Sequence, residues 1–174
     1  MAHVPAATIA VAASLPLAAQ EGAPVVVELY TSQGCSSCPP ADRFLGELAQ
    51  REDVIALAYH VDYWDYIGWQ DKFARPEHTV RQKEYRDALG LHTIYTPQMV
   101  VDGETQFVGG NAARTTEVIN EAASADKPDV AATANGSTAE VTVTGLPRHS
   151  VATAVLAVAE DGLISDVKAG NNRG

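Results

Sequence analysis

"VVVELYTSQGCSSCPPAD" (25–42) passes from a run of β-branched residues through both cysteines of the chain to a Pro-Pro pair. Extended to 23–32, its first part reads as a buried strand: it is rich in Val, follows Pro24 and is too short for a helix. "CPPADRFLGELAQRED" (38–53) then has Pro at a first-turn position and apolar side chains at Phe44, Leu45 and Leu48, which predicts a helix with one inward face. Cys35 and Cys38 therefore fall between the carboxyl end of a strand and the first turn of a helix. The positive end of that helix favours a thiolate at the first cysteine. Cys35 reads as the nucleophile, and Cys38, one turn inside, as the more buried thiol that resolves a mixed disulfide.

Downstream, "VIALAYHVDY" (54–63) is a second apolar strand, and 64–90 carries two Trp, a Pro-interrupted loop and a polar helix ending at Gly90. This reads as a helical insertion packed near the cysteines. "TPQMVVDGETQFVGG" (96–110) predicts strand, turn at Asp102-Gly103 and strand, and "NAARTTEVINEAASA" (111–125) an amphipathic helix capped at Asn111. From 126 to 174 small and β-branched residues dominate, with Asn135-Gly136 between two strand-like runs and "SVATAVLAVAEDG" (150–162) as a further strand. This is a small all-β appendage whose ending reads as cut short. "NGS" (135–137) matches a glycosylation acceptor, although a hairpin turn explains Asn135 and Gly136 without it.

Twelve Lys and Arg against 22 Asp and Glu give 174 residues a net charge of −10, with no basic stripe to neutralise phosphates, so nucleic acid is excluded as a partner. The densest basic group, "RPEHTVRQKEYR" (75–86), is interleaved with Glu77 and Glu84 and reads as a solvated helix face. Residues 1–21 read as an export segment, uncharged and Ala-rich up to Gln20 but with His3 where Lys or Arg is usual. No later apolar run reaches the roughly 20 residues of a membrane span. The expectation is a periplasmic or secreted protein without stable membrane insertion, in a compartment where a disulfide persists.

The cysteine pair admits three chemistries. A structural staple over so small a ring gains little chain entropy, which argues for redox use of the spacing. A metal site, copper included, would need Cys35 and Cys38 to be completed, with His60 as the third ligand and Met99 as another possible donor. Thiol exchange needs neither metal nor organic cofactor, only protein or small thiol/disulfide substrates and a redox partner, here unidentified. "IYTPQMVV" (94–101) adds a Thr-Pro bond at a strand start, and although only about one X-Pro bond in twenty is cis, this position suits one. A cis Pro97 would turn the backbone of Thr96 toward Cys35, where it could pair with an extended substrate. Tyr63 and Trp64, with Asp62, Asp65, Tyr66 and Trp69, either line a substrate groove or anchor the insertion.

"VVVELYTSQGCSSCPPAD", "TPQMVVDG" and the order of elements from about 23 to 123 resemble the thioredoxin superfamily. "LYTSQGCSSCPPAD", "YHVDYWDYIGW" and "YTPQMVVDG" are most similar to a family of secreted or periplasmic bacterial proteins of that fold and no established function. The resemblance implies an α/β thioredoxin-like fold over 22–125, with a central mixed sheet flanked by helices, and a redox pair at Cys35 and Cys38 with the cis proline at Pro97. It also implies that Glu28 is the buried acid that takes the proton of Cys38, its pKa raised by burial. The chain departs from thioredoxin at Gly34, where Trp is usual, and at Ser36 and Ser37, where Gly-Pro is usual; the loop is also one residue longer. A partner-binding module without redox turnover stays open beside the metal reading.

Overall fold

The computed structural model describes residues 23–172 except 136–137, 149, 151–152 and 154. The export segment expected over 1–21 lies outside the described residues.

Strand β1 (Val25–Thr31) is central, pairing in parallel with β2 (Val54–His60) and antiparallel with β3 (Gln98–Val101), which pairs with β4 (Thr105–Val108) in the order β2-β1-β3-β4. The sheet is mixed because helix α1 (Pro39–Leu48) returns the chain for a parallel strand, whereas the turn after β3 makes an antiparallel one. That turn is where the sequence places it: Asp102 has φ 48° and Gly103 φ 73°, which Asp and Gly tolerate best.

Alternation along β1 divides its side chains between two cores. Val25, Val27 and Leu29 pack with Ala41, Leu45 and Leu48 of α1 and with Val118 and Ile119 of α3 (Ala112–Ala123), which starts at Asn111 with the side chain accepting from Arg114 N–H at 3.0 Å. Each buried Leu contributes on the order of 2 kcal/mol. Tyr30 faces the other way, with Val61, Val100, Tyr59 and Tyr85 of α2 (Pro76–Ala88).

Helix α2 has the expected solvated face, with Glu77, Lys83 and Glu84 exposed, and a buried one besides. Its buried residues are Thr79 and Gln82, and the latter donates to the Tyr95 carbonyl at 2.7 Å and the Gln98 side chain at 2.8 Å. The helix docks through satisfied hydrogen bonds, so its contact face carries no apolar stripe for periodicity to reveal. Helix α1 ends at Leu48, short of the expected 53, and Cys38 is its N-cap rather than a residue one turn inside.

Strands β5 (Asp129–Asn135) and β6 (Thr138–Thr144) form a separate antiparallel ribbon. The further strand expected within 150–162 is absent among the described residues, where Val155, Leu156 and Val158 are exposed. Their β-branched composition finds no neighbouring edge to pair with, and propensity alone does not hold a strand. No helix among the described residues is long and apolar enough to cross a membrane.

Candidate functional site

Beyond Thr31 the chain leaves the sheet in a tight loop held by its own backbone. Cys35 N–H donates to the Ser32 carbonyl at 3.0 Å and Cys38 N–H to the Cys35 carbonyl at 3.2 Å. This brings the two cysteines to a Cα separation of 5.4 Å, joined as a disulfide. Pro39 and Pro40 open α1 without N–H groups, so the macrodipole acts through donors further along the first turn. Ser37 Oγ lies 3.5 Å from Cys35 Sγ, a contact that the sequence did not single out. Ser36 and Ser37 are exposed, while Cys35 and Cys38 are only 1% and 0% exposed.

The Thr96–Pro97 peptide is cis. Pro97 is brought to the start of α1 across Gly109, whose N–H donates to the Pro97 carbonyl at 2.9 Å. A Cβ at Gly109 would meet Ala41 Cβ at 3.1 Å, Leu29 Cδ1 at 3.2 Å and Pro97 Cβ at 3.3 Å, so only glycine lets these three groups close together.

Trp64 links the two loops. Its indole N–H donates to Thr96 Oγ1 at 2.8 Å, and a Cβ at Gly34 would lie 3.0 Å from Trp64 Cβ. The side chain missing at position 34 thus leaves room for an aromatic supplied from position 64. Tyr63 is turned toward α2 and donates to Gln82 Oε1 at 3.2 Å, with burial pushing its hydroxyl up to about 12. The insertion and groove readings therefore divide: Tyr63 anchors α2, and Trp64 sits between the cysteine loop and Thr96.

Asp71 holds the loop from below. Its buried carboxylate accepts from Gln33 N–H at 2.8 Å and Phe73 N–H at 2.9 Å, and lies 2.6 Å from His60 Nδ1. Burial raises its pKa, but the hydrogen bonds from His60 and the two backbone groups outweigh this and hold it below the ordinary value. Asp42 goes the opposite way: burial pushes it up, against a 2.6 Å hydrogen bond from Thr31 Oγ1. Asp42 N–H also donates to the Cys38 carbonyl at 3.0 Å. Neither residue stood out in the sequence, where an isolated Asp looks like any surface acid.

Glu28 sits in the middle of β1. It is buried as expected, but its carboxylate is engaged by the Arg81 guanidinium and accepts from the Tyr30 and Tyr85 hydroxyls at 3.0 and 3.2 Å. It shares the α2 side of β1 with Tyr30, whereas α1 packs on the side of Val27 and Leu29. A carboxylate bound by a guanidinium and two hydroxyls on that face is part of the α2 junction. Of the metal alternative's third ligand, His60, only Nδ1 is engaged, with Asp71. Among the described residues no three His, Cys, Asp or Glu side chains gather as a metal site, and Met99 is core, accepting from Thr115 Oγ1 at 3.4 Å.

A family model described as "Protein of unknown function (DUF1223)" matches residues 26–174. The chain belongs to the DUF1223 family. This DUF1223 chain is also similar to a protein from Agrobacterium tumefaciens known from an X-ray crystal structure, with 40% sequence identity and a TM-score of 0.65. The match covers 72% of this chain and 58% of that one, so the chain spans little more than half of that protein's length. No curated protein matches it.

Proposed function

We propose that the chain is a thioredoxin-like thiol-disulfide oxidoreductase, periplasmic or secreted, acting on protein or small-molecule thiols. The observation that carries this is the Cys35–Cys38 disulfide at the head of α1, with the cis Thr96–Pro97 peptide brought to the same helix end across Gly109. A staple would not need the second loop.

In the reducing direction, the Cys35 thiolate attacks one sulfur of a substrate disulfide, the substrate S–S bond breaks, and one substrate thiolate leaves. Cys38, as thiolate, then attacks Cys35 Sγ, which forms the Cys35–Cys38 bond and releases the second substrate thiolate. The substrate gains two electrons and the pair loses two; a partner dithiol restores the reduced form by the same steps. Oxidation of a substrate dithiol is the reverse. Ser37 Oγ is placed to donate to a Cys35 thiolate, and Thr96 and Pro97 shape the face on which a substrate chain lies.

Burial of both sulfurs favours a second reading, a partner-binding module without turnover. The reduction potential separates the two. A reversible couple between about −120 and −270 mV in glutathione or dithiothreitol buffers supports exchange, and a pair still oxidised below about −300 mV is a static disulfide, which leaves the binding reading.

A further inference from the structure

Cys35 is covered by a distant part of its own chain. The Asn172 side-chain amide donates to the Cys35 carbonyl at 2.7 Å, across 137 residues of sequence. Two residues before it, the Gly170 backbone lies against Trp69, where a Cβ would be 3.1 Å from Trp69 Cβ. Trp69 in turn donates through its indole N–H to Gln33 Oε1 at 2.8 Å, inside the cysteine loop. At the other end of the segment, Lys72 Nζ donates to the Ile164 carbonyl at 2.9 Å.

Residues 164–168 carry no secondary structure, and the chain then bends at 169–170 and turns at 171–172. Ser165, Val167 and Ala169 are half-buried, while Ile164, Asp166, Lys168 and Gly170 are exposed. That alternation is the signature of an extended strand laid with one face on a surface. The segment's contacts are with Lys72, Trp69 and the Cys35 carbonyl, beside a cysteine pair that is itself buried.

We propose that residues 164–172 cover the Cys35 loop on its Trp69 side, so that a substrate chain must displace them to reach Cys35. The inference rests on the redox reading and names its substrate class, an extended polypeptide. The segment presents two things such a substrate can offer: half-buried side chains at every second position, and an amide donor, here the Asn172 side chain, for the Cys35 carbonyl. The close approach at Gly170 further asks for a small residue opposite Trp69.

The test compares reduction rates of the disulfide in wild type and Asn172→Ala, using two reductants: dithiothreitol and reduced, unfolded ribonuclease A. Loss of the Asn172 tether is expected to speed exchange with the unfolded polypeptide by about tenfold, the equivalent of a hydrogen bond to a well-placed acceptor, and to change the dithiothreitol rate much less. Trp69 fluorescence should shift toward the solvent-exposed spectrum in the same variant. Unchanged polypeptide rates overturn the proposal, as does an equal gain for both reductants, which would make the segment a mere shield. Lys72→Ala, which removes the exposed tether at the far end, carries the same comparison should Asn172→Ala fail to fold. A potential typical of a staple, with the rates still responding to the tether, would sink the redox reading and leave the covering role standing.

Discussion

The indole N–H of Trp64 donates to the hydroxyl of Thr96 at 2.8 Å, tying the segment packed on Gly34 to the residue before the cis proline. The cysteine loop and the cis-proline loop are therefore bridged by one side chain from a third. Trp64→Phe keeps an aromatic against Gly34 and removes only the donor. It is expected to lower stability by about 1 kcal/mol in urea titration; an unchanged midpoint would show that the bond adds nothing to the fold.

Arg81 and Glu28 form an ion pair whose carboxylate is buried and whose guanidinium is partly exposed. Arg81→Met leaves that carboxylate without its counter-ion and is expected to cost on the order of 3 kcal/mol, with part recovered in the double variant Glu28→Gln/Arg81→Met. Because Glu28 lies on the α2 face, Glu28→Gln should leave the rate at which Cys38 resolves a mixed disulfide at its wild-type value. A slower resolution at constant stability would restore Glu28 to the reaction.

Asp42 and Asp71 titrate with opposite consequences for stability. The pKa of Asp42 is raised by burial above 3.8, so its contribution is complete below that value and is lost as pH rises through the folded-state pKa. Asp71 is held below 3.8 against burial, chiefly by His60 and the Gln33 N–H, so its contribution is present above 3.8 and is lost as pH falls through the folded-state pKa. Relative to wild type, Asp42→Asn should gain stability between acid and neutral pH, and Asp71→Asn should lose it. Denaturant midpoints across that range check both, and parallel pH profiles for the two variants would contradict the assignment.

Gly109 is in contact on three sides, with Ala41, Leu29 and Pro97. Gly109→Ala inserts a methyl group at 3.1–3.3 Å from all three and is expected to cost about 1–3 kcal/mol by overpacking. Since the strain bears on the contact between α1 and Pro97, disulfide exchange should slow as well. A variant as stable as wild type would mean that α1 moves aside without loss.

Much of this was legible because it is local. The Val-rich run of β1, the Pro-opened α1, the Asp102-Gly103 turn and the Asn111 cap each depend on residues within a few positions of one another, and each formed where expected. The C-x-x-C spacing, closed by a turn of local backbone hydrogen bonds, brings Cys35 and Cys38 within bonding reach. Tertiary structure decided the rest. Alternation along β1 sets Glu28 opposite Val27, but nothing nearby says that Arg81, 53 residues away, will meet it there. Likewise the cover over Cys35 comes from Asn172, and the glycine that admits Pro97 to α1 comes from the end of β4. Periodicity reports which face a side chain takes; what lies against that face depends on how distant elements pack, and α2 packs largely through hydrogen bonds that leave no apolar pattern in the chain.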